Sequence, residues 1–482
     1  METGNSHAGK RGMAVSRVVV AVGLLFILLP KSTVHAATIQ VPQQYSTIQA
    51  AHDAAATGDT IKVSPGNYQG VIINKQITLE ATTYDRNNPK NNTARINGQV
   101  YIEGGSWAWD QGPVIRGFYI VGLDPVRGKR TPYTLEYSFV EAAGQGNDGV
   151  SFESGGGIIR GNIVDPGGDD NIDIDSQNMN ILIEDNILRN SNQDGIEVRH
   201  QDYFGTERVT LTIRNNRFEN NGQDGLQIMD YDNFTNRRYI LERNLFIGAG
   251  SKASGAAIGI MVGQDTTQNF SAAPMPEPLY AVNNTFMNNE AGISGGANLI
   301  AINNIFSGNT LFDIKNVNGN SKILHSVFAA TPKQQGTNNL DSATTKIGNP
   351  QLDSNYIPQT GSPAIDAGLA SYQHTYTYSG QSFTDTVVNI TSGQFTGSAP
   401  DAGWKESGTT GNPTATPAVT STPQPTNTNC GPLGDIDCSG TVEINDLTIL
   451  LSAYATIHQL ADLDQSGLVS ILDLSLLLKN FQ

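Results

Sequence analysis

Residues 186–199 read NILRNSNQDGIEVR, and this stretch contains both of the signals that decide the fold. It opens with an Asn, one variable residue and a large apolar residue, and it then reaches an Asp-Gly pair. After that pair the side chains alternate, so that Ile196 and Val198 face one side of a short strand while Glu197 and Arg199 face the other. A strand of this length cannot bury its apolar side alone, so neighbouring strands must cover it.

Both signals recur in the same order through the middle of the chain. The Asn signal begins at Asn162, Asn186, Asn216, Asn244, Asn284 and Asn304, with Ser138 and Ser326 in its place at the two ends. The second signal appears at Asn147-Asp148-Gly149, Asp170-Asn171, Gln193-Asp194-Gly195 and Gln223-Asp224-Gly225. Successive Asn signals lie 20 to 40 residues apart, which indicates a period in the low twenties interrupted by insertions.

Two signals in a fixed phase predict a parallel β-solenoid. Each coil contributes a few short strands, and stacked coils share one continuous core. An Asn that recurs at one turn suits a ladder of side-chain amides that bond coil to coil, and the Gly residues permit the bends between strands. A leucine-rich repeat would need a regular Leu frame, which this sequence lacks, and a sandwich would not keep two motifs in register over about eight copies.

Two further segments carry a family resemblance. Thr47-Ile48-Gln49-Ala50-Ala51, followed by GDTIKVSPGNY at 58–68, resembles the N-terminal cap of right-handed β-helix proteins of the pectate-lyase-like superfamily. GSPAIDAG at 361–368 resembles the segment that often closes such helices. The resemblance implies an all-β, right-handed parallel β-helix over residues 37–404, with a helical N-terminal cap. It implies no single activity, because this superfamily includes lyases, hydrolases, epimerases and inert adhesins.

The outward positions of the Asp-Gly strands stack into two columns. The first column is Ser151, Asp173, Glu197 and Gln227, and the second is Glu153, Asp175, Arg199 and Met229. Carboxylates about 4.8 Å apart on neighbouring coils repel one another unless a cation or a shared proton lies between them. Calcium, which prefers oxygen ligands, would relieve that repulsion.

The resemblance gives these columns a chemical interpretation. In polysaccharide lyases of the superfamily, calcium binds the uronate and acidifies the adjacent proton, which an Arg or a Lys removes. The resemblance therefore implies Asp173, Asp175 and Glu197 as calcium ligands, and Arg199 or Lys252 as the base of a β-elimination. His200 would assist, although on its own it is interpreted as a surface residue.

Two other functions remain open on the same scaffold. An inverting glycoside hydrolase needs an acid and a base about 6.5–9.5 Å apart, which neighbouring coils can supply. Asp169-Asp170 faintly resembles the paired-Asp motif of polygalacturonases, but that family's Gly-His-Gly and Arg-Ile-Lys motifs are absent. The third function is non-catalytic binding of carbohydrate. The structural alternative is that Asp148, Asp194 and Asp224 only cap backbone N–H groups at turns.

The C-terminal segment, 434–482, repeats a twelve-residue pattern with acids at positions 1, 3 and 12, an oxygen at 5 and Gly at 6. This pattern matches the calcium loop of an EF-hand, in which position 7 contributes its backbone carbonyl. The predicted ligands are Asp435, Asp437, Ser439, Thr441 and Asp446, then Asp462, Asp464, Ser466, Leu468 and Asp473. Two loop-helix copies resemble a dockerin, which implies Ca²⁺ and a cohesin-bearing scaffold protein as partner. The alternative is a calcium-stiffened tail without a partner.

The rest of the chain fits an exported protein. Residues 1–36 have a basic start, an apolar run and a small-residue cleavage site, which predicts a signal peptide and a secreted mature chain without a membrane span. Residues 405–433 are rich in Pro and Thr and predict an extended linker. Cys430 and Cys438 lie close enough in sequence to pair in an oxidising compartment. The net charge of −16 argues against nucleic acid as a partner. The family resemblance implies a polysaccharide as the partner instead.

Overall fold

The computed structural model describes residues 36–408, except 145, 206, 232, 233 and 264–270, together with four single positions in the C-terminal segment. Of those four, Leu447, Leu450 and Leu477 are helical, in the two regions where the tandem repeat predicts helices. The export signal up to residue 35, nearly all of the linker, both cysteines and all ten predicted ligands of the calcium loops lie outside the described residues. The predictions made for them stay predictions.

The described chain winds as a right-handed parallel β-helix, which confirms the predicted fold class. Each coil passes through three strand positions, named here sheet A, face B and face C. Sheet A contains β1 (Thr38–Val41), β2 (Thr60–Val63), β4 (Thr78–Ala81), β6 (Val114–Arg116), β9 (Tyr133–Glu136), β12 (Gly157–Arg160), β15 (Ile181–Glu184), β18 (Val209–Arg214), β21 (Arg237–Glu242), β24 (Leu279–Val282), β27 (Leu299–Ile302) and β30 (Lys322–Leu324).

Faces B and C together form a second hydrogen-bonded sheet. Face B contains β7 (Tyr119–Gly122), β10 (Phe139–Ala142), β13 (Ile163–Val164), β16 (Ile187–Arg189), β19 (Arg217–Glu219), β22 (Leu245–Ile247), β25 (Thr285–Met287), β28 (Ile305–Ser307), β31 (Val327–Phe328) and β33 (Lys346–Ile347). Face C contains β8 (Val126–Lys129), β11 (Val150–Glu153), β14 (Ile172–Asp175), β17 (Ile196–His200), β20 (Leu226–Asp230), β23 (Ala256–Val262), β26 (Ala291–Ser294), β29 (Phe312–Lys315) and β32 (Gln334–Gln335). The long strands β3 (Gly66–Ile73) and β5 (Ala94–Glu103) join the two faces at the N-terminal end.

The recurring Asn forms the predicted ladder at the corner between sheet A and face B. The side-chain oxygen of Asn216 accepts from the backbone N–H and from the amide of Asn186, at 2.9 and 3.0 Å. The same pair of bonds links each Asn of the series to the next, from Asn162 to Asn304. The residue before each ladder position, such as Asp185 or Asn215, has a positive φ, so the chain turns sharply there. Buried amides paired in this way hold the coils in register.

The apolar residue of the Asn signal fills the interior. Phe218, Phe246, Phe286, Phe306 and Phe328 stack coil upon coil, with ring centroids 4.4 to 5.4 Å apart. All five rings are buried in the main core. Offset aromatic stacks of this kind add to the stabilisation that burial gives. The interior is therefore packed with side chains, and any chemistry must take place on the outer faces.

A helix covers the N-terminal end of the solenoid, whereas the GSPAIDAG segment, which was expected to close the helix, packs on the outside of face B. At the N-terminal end lies α1 (Ile48–Ala54), whose Ile48 and Ala51 are buried against the core and whose first turn is capped by Thr47. The predicted cap is thus present, and a short 3₁₀ helix (Pro89–Asn91) follows it. Near the C-terminal end, Ala364 and Ala367 of the GSPAIDAG segment pack on the outward side chains of face B, among them Ile305 and Val327.

A C-terminal hairpin, which the sequence did not predict, lies against the outside of sheet A. It consists of β34 (Ser371–Tyr378) and β35 (Gln381–Asn389), which pair antiparallel. Its Val388 packs with outward apolar residues of β24 and β27, including Tyr280 and Ile300. Asp385 fixes the hairpin further by ion pairs to Arg208 and Arg238, at 2.6 and 3.0 Å. Among the helices of the described residues, none has the length and apolar character needed to cross a membrane.

The outer surface of sheet A carries a ladder of alternating charge. In register from coil to coil, one outward position reads Lys62, Glu80, Arg116, Glu136, Arg160, Glu184, Arg214 and Glu242. Nearly every acid thus lies between two cations. Glu184, for example, forms ion pairs with both Arg160 and Arg214. This column is balanced in charge and has a structural explanation in its own pairs.

Candidate metal and active site

The outward columns of face C stack as the sequence predicted. Asp173 pairs with Glu197 across adjacent coils, and Asp175 pairs with Arg199. Ser151 and Gln227 continue the first column on either side. The acidic residues therefore converge on β14 and β17, two neighbouring strands of one face.

Arg199 occupies the centre of this convergence. Its Nη1 lies 3.1 and 3.2 Å from the two carboxylate oxygens of Asp173 and also contacts Asp175. Its Nη2 lies 2.5 Å from Glu197 Oε1. Burial opposes the charged form, but these carboxylates outweigh it and raise the pKa of Arg199 above its already high ordinary value. Arg199 is thus held as a cation by three acids, which counts against its predicted role as a general base.

The aspartates of the Asp-Gly turns form a column of their own. Asp170 Oδ1 accepts from the backbone N–H of Asp194 at 2.7 Å, and Asp194 Oδ1 accepts from that of Asp224 at 2.7 Å. Asp224 in turn caps Ala256, and Asp148 accepts from the N–H of Asp170. The turn-capping interpretation of Asp148, Asp194 and Asp224 is therefore correct for one oxygen of each carboxylate.

A second group of acids comes together beside these capped turns. One carboxylate oxygen from each of Asp170, Asp194 and Glu197 lies within 4.8 Å of the others, and all three residues are buried. Among the described residues, Asp194 Oδ2 is buried and has no hydrogen-bond partner. We name these three residues the acidic triad. A buried carboxylate oxygen without a donor is costly unless a proton or a cation satisfies it.

The electrostatics of the acidic triad point in the same direction. Burial, followed by repulsion from the neighbouring carboxylates, raises the pKa of Asp170 and Asp194 well above the usual range for Asp. Burial raises the pKa of Glu197 to about 7, although Arg199 opposes that shift. Without a cation, burial and mutual repulsion therefore favour the protonated, uncharged forms of the triad. A divalent cation with oxygen ligands would replace those protons and fit this donor set.

The triad differs from the predicted ligand set. The sequence predicted Asp173, Asp175 and Glu197, and only Glu197 lies in the group of carboxylates that can share a cation. Asp173 and Asp175 lie against Arg199 instead. The signal that could have found the triad is the spacing: Asp170 and Asp194 lie 24 residues apart, one coil, and Glu197 follows Asp194 by three residues. A turn role for Asp194 does not exclude a ligand role, because one carboxylate oxygen can cap the turn while the other binds a cation.

Lys252, the other predicted base, lies at the turn that leads into face C. Its Nζ donates to Ser191 O at 2.9 Å and to Asn192 Oδ1 at 2.8 Å. Asn192 is two residues before Asp194, so the ammonium lies at the same corner as the triad. Lys252 itself is exposed, and a substrate at this corner would reach it.

His200 is fully buried, so its interpretation as a surface residue is wrong. Its Nδ1 lies 2.6 Å from the hydroxyl of Tyr239, and its Nε2 lies 3.0 Å from Glu277 Oε1 and 2.9 Å from Thr235 Oγ1. It follows Arg199 directly on β17 and points into the coil. Its position indicates a structural polar network at the end of the strand, with no route to a substrate on face C.

The chain is similar in part to a known protein family and to several solved structures. Residues 56–246 match the family described as "Right handed beta helix region". Similar solved structures include pectate lyase Pel9A, with 15% identity, 77% of this chain and 96% of that chain covered, and a TM-score of 0.42. The polysaccharide lyase Pedsa3628 of Pseudopedobacter saltans, from family PL6, has 12% identity, coverage of 66% and 94%, and a TM-score of 0.37. A variant of the PL6 alginate lyase AlyGC has 15% identity, coverage of 74% and 57%, and a TM-score of 0.30.

No curated protein matches the sequence significantly. The strand topology and the family match together define the fold class of this chain as a right-handed parallel β-helix.

Proposed function

We propose that this protein is a secreted, calcium-assisted lyase of a uronic-acid polysaccharide, with its active site on face C. The observation that carries the proposal is the acidic triad, three buried carboxylates from adjacent coils, together with Asp194 Oδ2, which has no hydrogen-bond partner among the described residues. A purely structural column would pair its charges, as the outer column of sheet A does. The excess of acids on face C has a physical explanation if a cation binds there.

The charged residues at β14, β17 and the nearby turns have different roles in this proposal. Asp170, Asp194 and Glu197 would hold calcium, which when bound attracts the uronate carboxylate and acidifies the adjacent C–H bond. Lys252 would accept that proton, because it is exposed at the same corner and is not locked among carboxylates. The electron pair of the C–H bond would form the new C=C bond while the glycosidic C–O bond breaks, and the leaving oxygen would take a proton from water. Arg199 would position Asp173, Asp175 and Glu197 rather than act as the base.

The hydrolase alternative has less support. The oxygens of the triad lie within 4.8 Å of one another, which is closer than the 6.5–9.5 Å typical of an inverting pair with a water between the carboxyl groups. Non-catalytic binding remains the outcome if no bond is cleaved. Docking to a cohesin-bearing scaffold through segment 434–482, with calcium in both loops, is part of the proposal and rests on the tandem repeat.

The test is a lyase assay on pectate, alginate and glycosaminoglycans, with calcium present or chelated. We expect calcium-dependent ultraviolet absorbance of an unsaturated uronate product. The key variant is Asp194→Asn, which keeps the cap to Asp224 but removes the ligand charge. Its matched control is Asp224→Asn, at the same turn position one coil away and outside the triad.

Loss of a direct ligand should cost at least about 100-fold in activity, since even outer-shell changes often cost 10–100-fold. Asp224→Asn should stay within a factor of about 3 of the wild type. Equal loss in both variants would show that the turn, not the triad, matters. New reducing ends without the absorbance would identify a hydrolase, and neither signal on any polymer would favour a binding protein.

A further inference from the structure

A groove far from the acidic triad lies between the C-terminal hairpin and the corner where face C leads into sheet A. Its volume is about 800 Å³, within the range of ligand sites. One wall is β34, with Tyr372, His374 and Tyr376, and the other is formed by the corners at 297–298 and 319–322. These corners lie three to four coils beyond β17, which is about 15–20 Å along the solenoid axis.

The groove is built on a rigid frame. His374 Nε2 and Asn298 Oδ1 lie 2.7 Å apart, and the amide of Asn298 donates to Pro276 O at 3.1 Å, so the floor is fixed. The hairpin wall is fixed by Asp385, which also accepts from the hydroxyl of Tyr280 at 2.8 Å. A preformed wall lowers the ordering cost of binding.

The lining also offers polar groups that the protein does not use. Within the described part of the chain, neither Lys322 Nζ nor the side-chain amides of Asn320 and Gln373 have a hydrogen-bond or ion-pair partner. The ammonium of Lys322 lies 6.0 Å from the ring centroid of Tyr372. An aromatic ring beside amides and an ammonium is the combination that recognises a sugar ring, its hydroxyls and an attached carboxylate.

The charge of the groove contrasts with that of the whole protein. The chain has a net charge of −16, yet among the described residues no carboxylate lines this groove, and Lys322 contributes the one ammonium group there. An acidic protein would repel an acidic polymer over most of its surface. A locally cationic groove is therefore a favourable place for such a polymer to bind.

We propose that this groove is a calcium-independent binding subsite for acidic oligosaccharides, with Lys322 bound to a sugar carboxylate and Tyr372 beside the ring. The choice of an acidic sugar rests on the proposed function, whereas the groove, its frame and its unused polar groups do not depend on it. The site would hold a polymer at a second point, away from the triad.

The experiment measures binding of tetragalacturonate to the full chain by calorimetry in excess chelator, where elimination at the triad is suppressed. Lys322→Glu should weaken binding by at least about tenfold, because a charge-assisted contact becomes a repulsion. The matched control is Lys346→Glu, an exposed Lys on face B, which should change affinity less than about twofold. Lys322→Ala should fall between them, and a neutral tetrasaccharide should not distinguish the variants.

Two outcomes would overturn the inference. One is equal affinity in Lys322→Glu and Lys346→Glu, and the other is no binding by the wild type in chelator. Both are separate from the fate of the lyase proposal, because a protein without elimination activity still gives a result in this assay. Circular dichroism of each variant shows that the exposed substitutions leave the fold intact.

Discussion

Sheet A and face C both carry stacked charges on their outer sides, but they differ in balance. On sheet A, acids and cations alternate from Lys62 to Glu242, and Glu184 has an Arg on each side. On face C, Asp173, Asp175 and Glu197 share one guanidinium, that of Arg199, and within the described part of the chain no ion pair joins the buried Asp170 or Asp194 to a cation. The comparison teaches that stacked charge alone does not mark a site in a β-helix, whereas an uncompensated excess of buried acids does.

The largest expected effect tests which cation of face C does chemistry. Replacing Lys252 with Met should reduce lyase activity by about 100-fold to 10,000-fold, the usual contribution of a general base, with little change in thermal stability. Replacing Arg199 with Gln should instead lower the melting temperature and leave part of the activity. Steady-state kinetics and thermal melts of both variants decide this. The opposite pattern would restore Arg199 as the base.

The next effect tests the structural role of the ladder on sheet A. Glu184→Ala leaves Arg160 and Arg214 without a shared partner in a position where the Glu side chain is only 4% exposed. Breaking a buried ion pair in this way costs about 3–5 kcal/mol of unfolding free energy. Urea denaturation should show the loss, while calcium-dependent activity at low temperature should remain. A parallel loss of calcium dependence would remove the distinction between the two faces.

A smaller effect follows from the pKa values on face C. Burial raises the pKa of Glu197 to about 7 and that of Asp148 to about 6, above their unfolded values of 4.5 and 3.8. Between these values the folded state binds more protons than the unfolded state. The stability that these two groups contribute is therefore fully present below about pH 4 and is lost as the pH rises through 6 to 7. In chelator, the melting temperature should therefore fall between about pH 5 and pH 8.

Calcium should reverse that fall, because its binding removes the protons and stabilises the folded state. Asp194→Asn should weaken the reversal, whereas the tandem calcium loops remain intact in that variant and give the same contribution as in wild type. A melting temperature in chelator that rises across this pH range would contradict the assigned shifts.

The smallest effect lies at the exposed end of the ladder. Lys62 is 38% exposed and forms an ion pair with Glu80 at 2.6 Å. An exposed pair of this kind contributes about 0–1 kcal/mol and is screened by salt. Lys62→Ala should therefore change the unfolding free energy far less than Glu184→Ala does. Denaturation at low and high salt would show the gradient from the buried to the exposed end.

Part of the candidate site was readable before the structure. The strand alternation after Asp194 placed Glu197 and Arg199 on one outward face, and the repeat placed Asp173 and Asp175 beside them. The pattern could not show that Arg199 reaches back to Asp173 and Asp175, because the rotamer of a long side chain depends on its neighbours. The pattern also could not show which carboxylate oxygen of Asp194 accepts the backbone hydrogen bond from Asp224.

Other misses have the same origin. His200 reads as an exposed polar residue, but its partners Thr235 and Glu277 come from later loops. The hairpin at 371–389 does not follow the repeat of the solenoid, so its position could not be predicted. Ile300 is apolar on the outer side of sheet A because the hairpin packs over it and buries it. Contacts between segments far apart in sequence decide both cases.

By itself the sequence determined the β-helix, its coil period, the Asn ladder and the N-terminal cap, because each arises from a local pattern that repeats in phase. It also determined that Glu197 and Arg199 face outward and Ile196 and Val198 inward, since a strand alternates strictly. Only the tertiary structure decided that Asp170 and Asp194 join Glu197 in the acidic triad, that Arg199 is held by three acids, and that a groove opens beside the hairpin. These features depend on distances between coils and on side-chain direction, which no periodicity specifies.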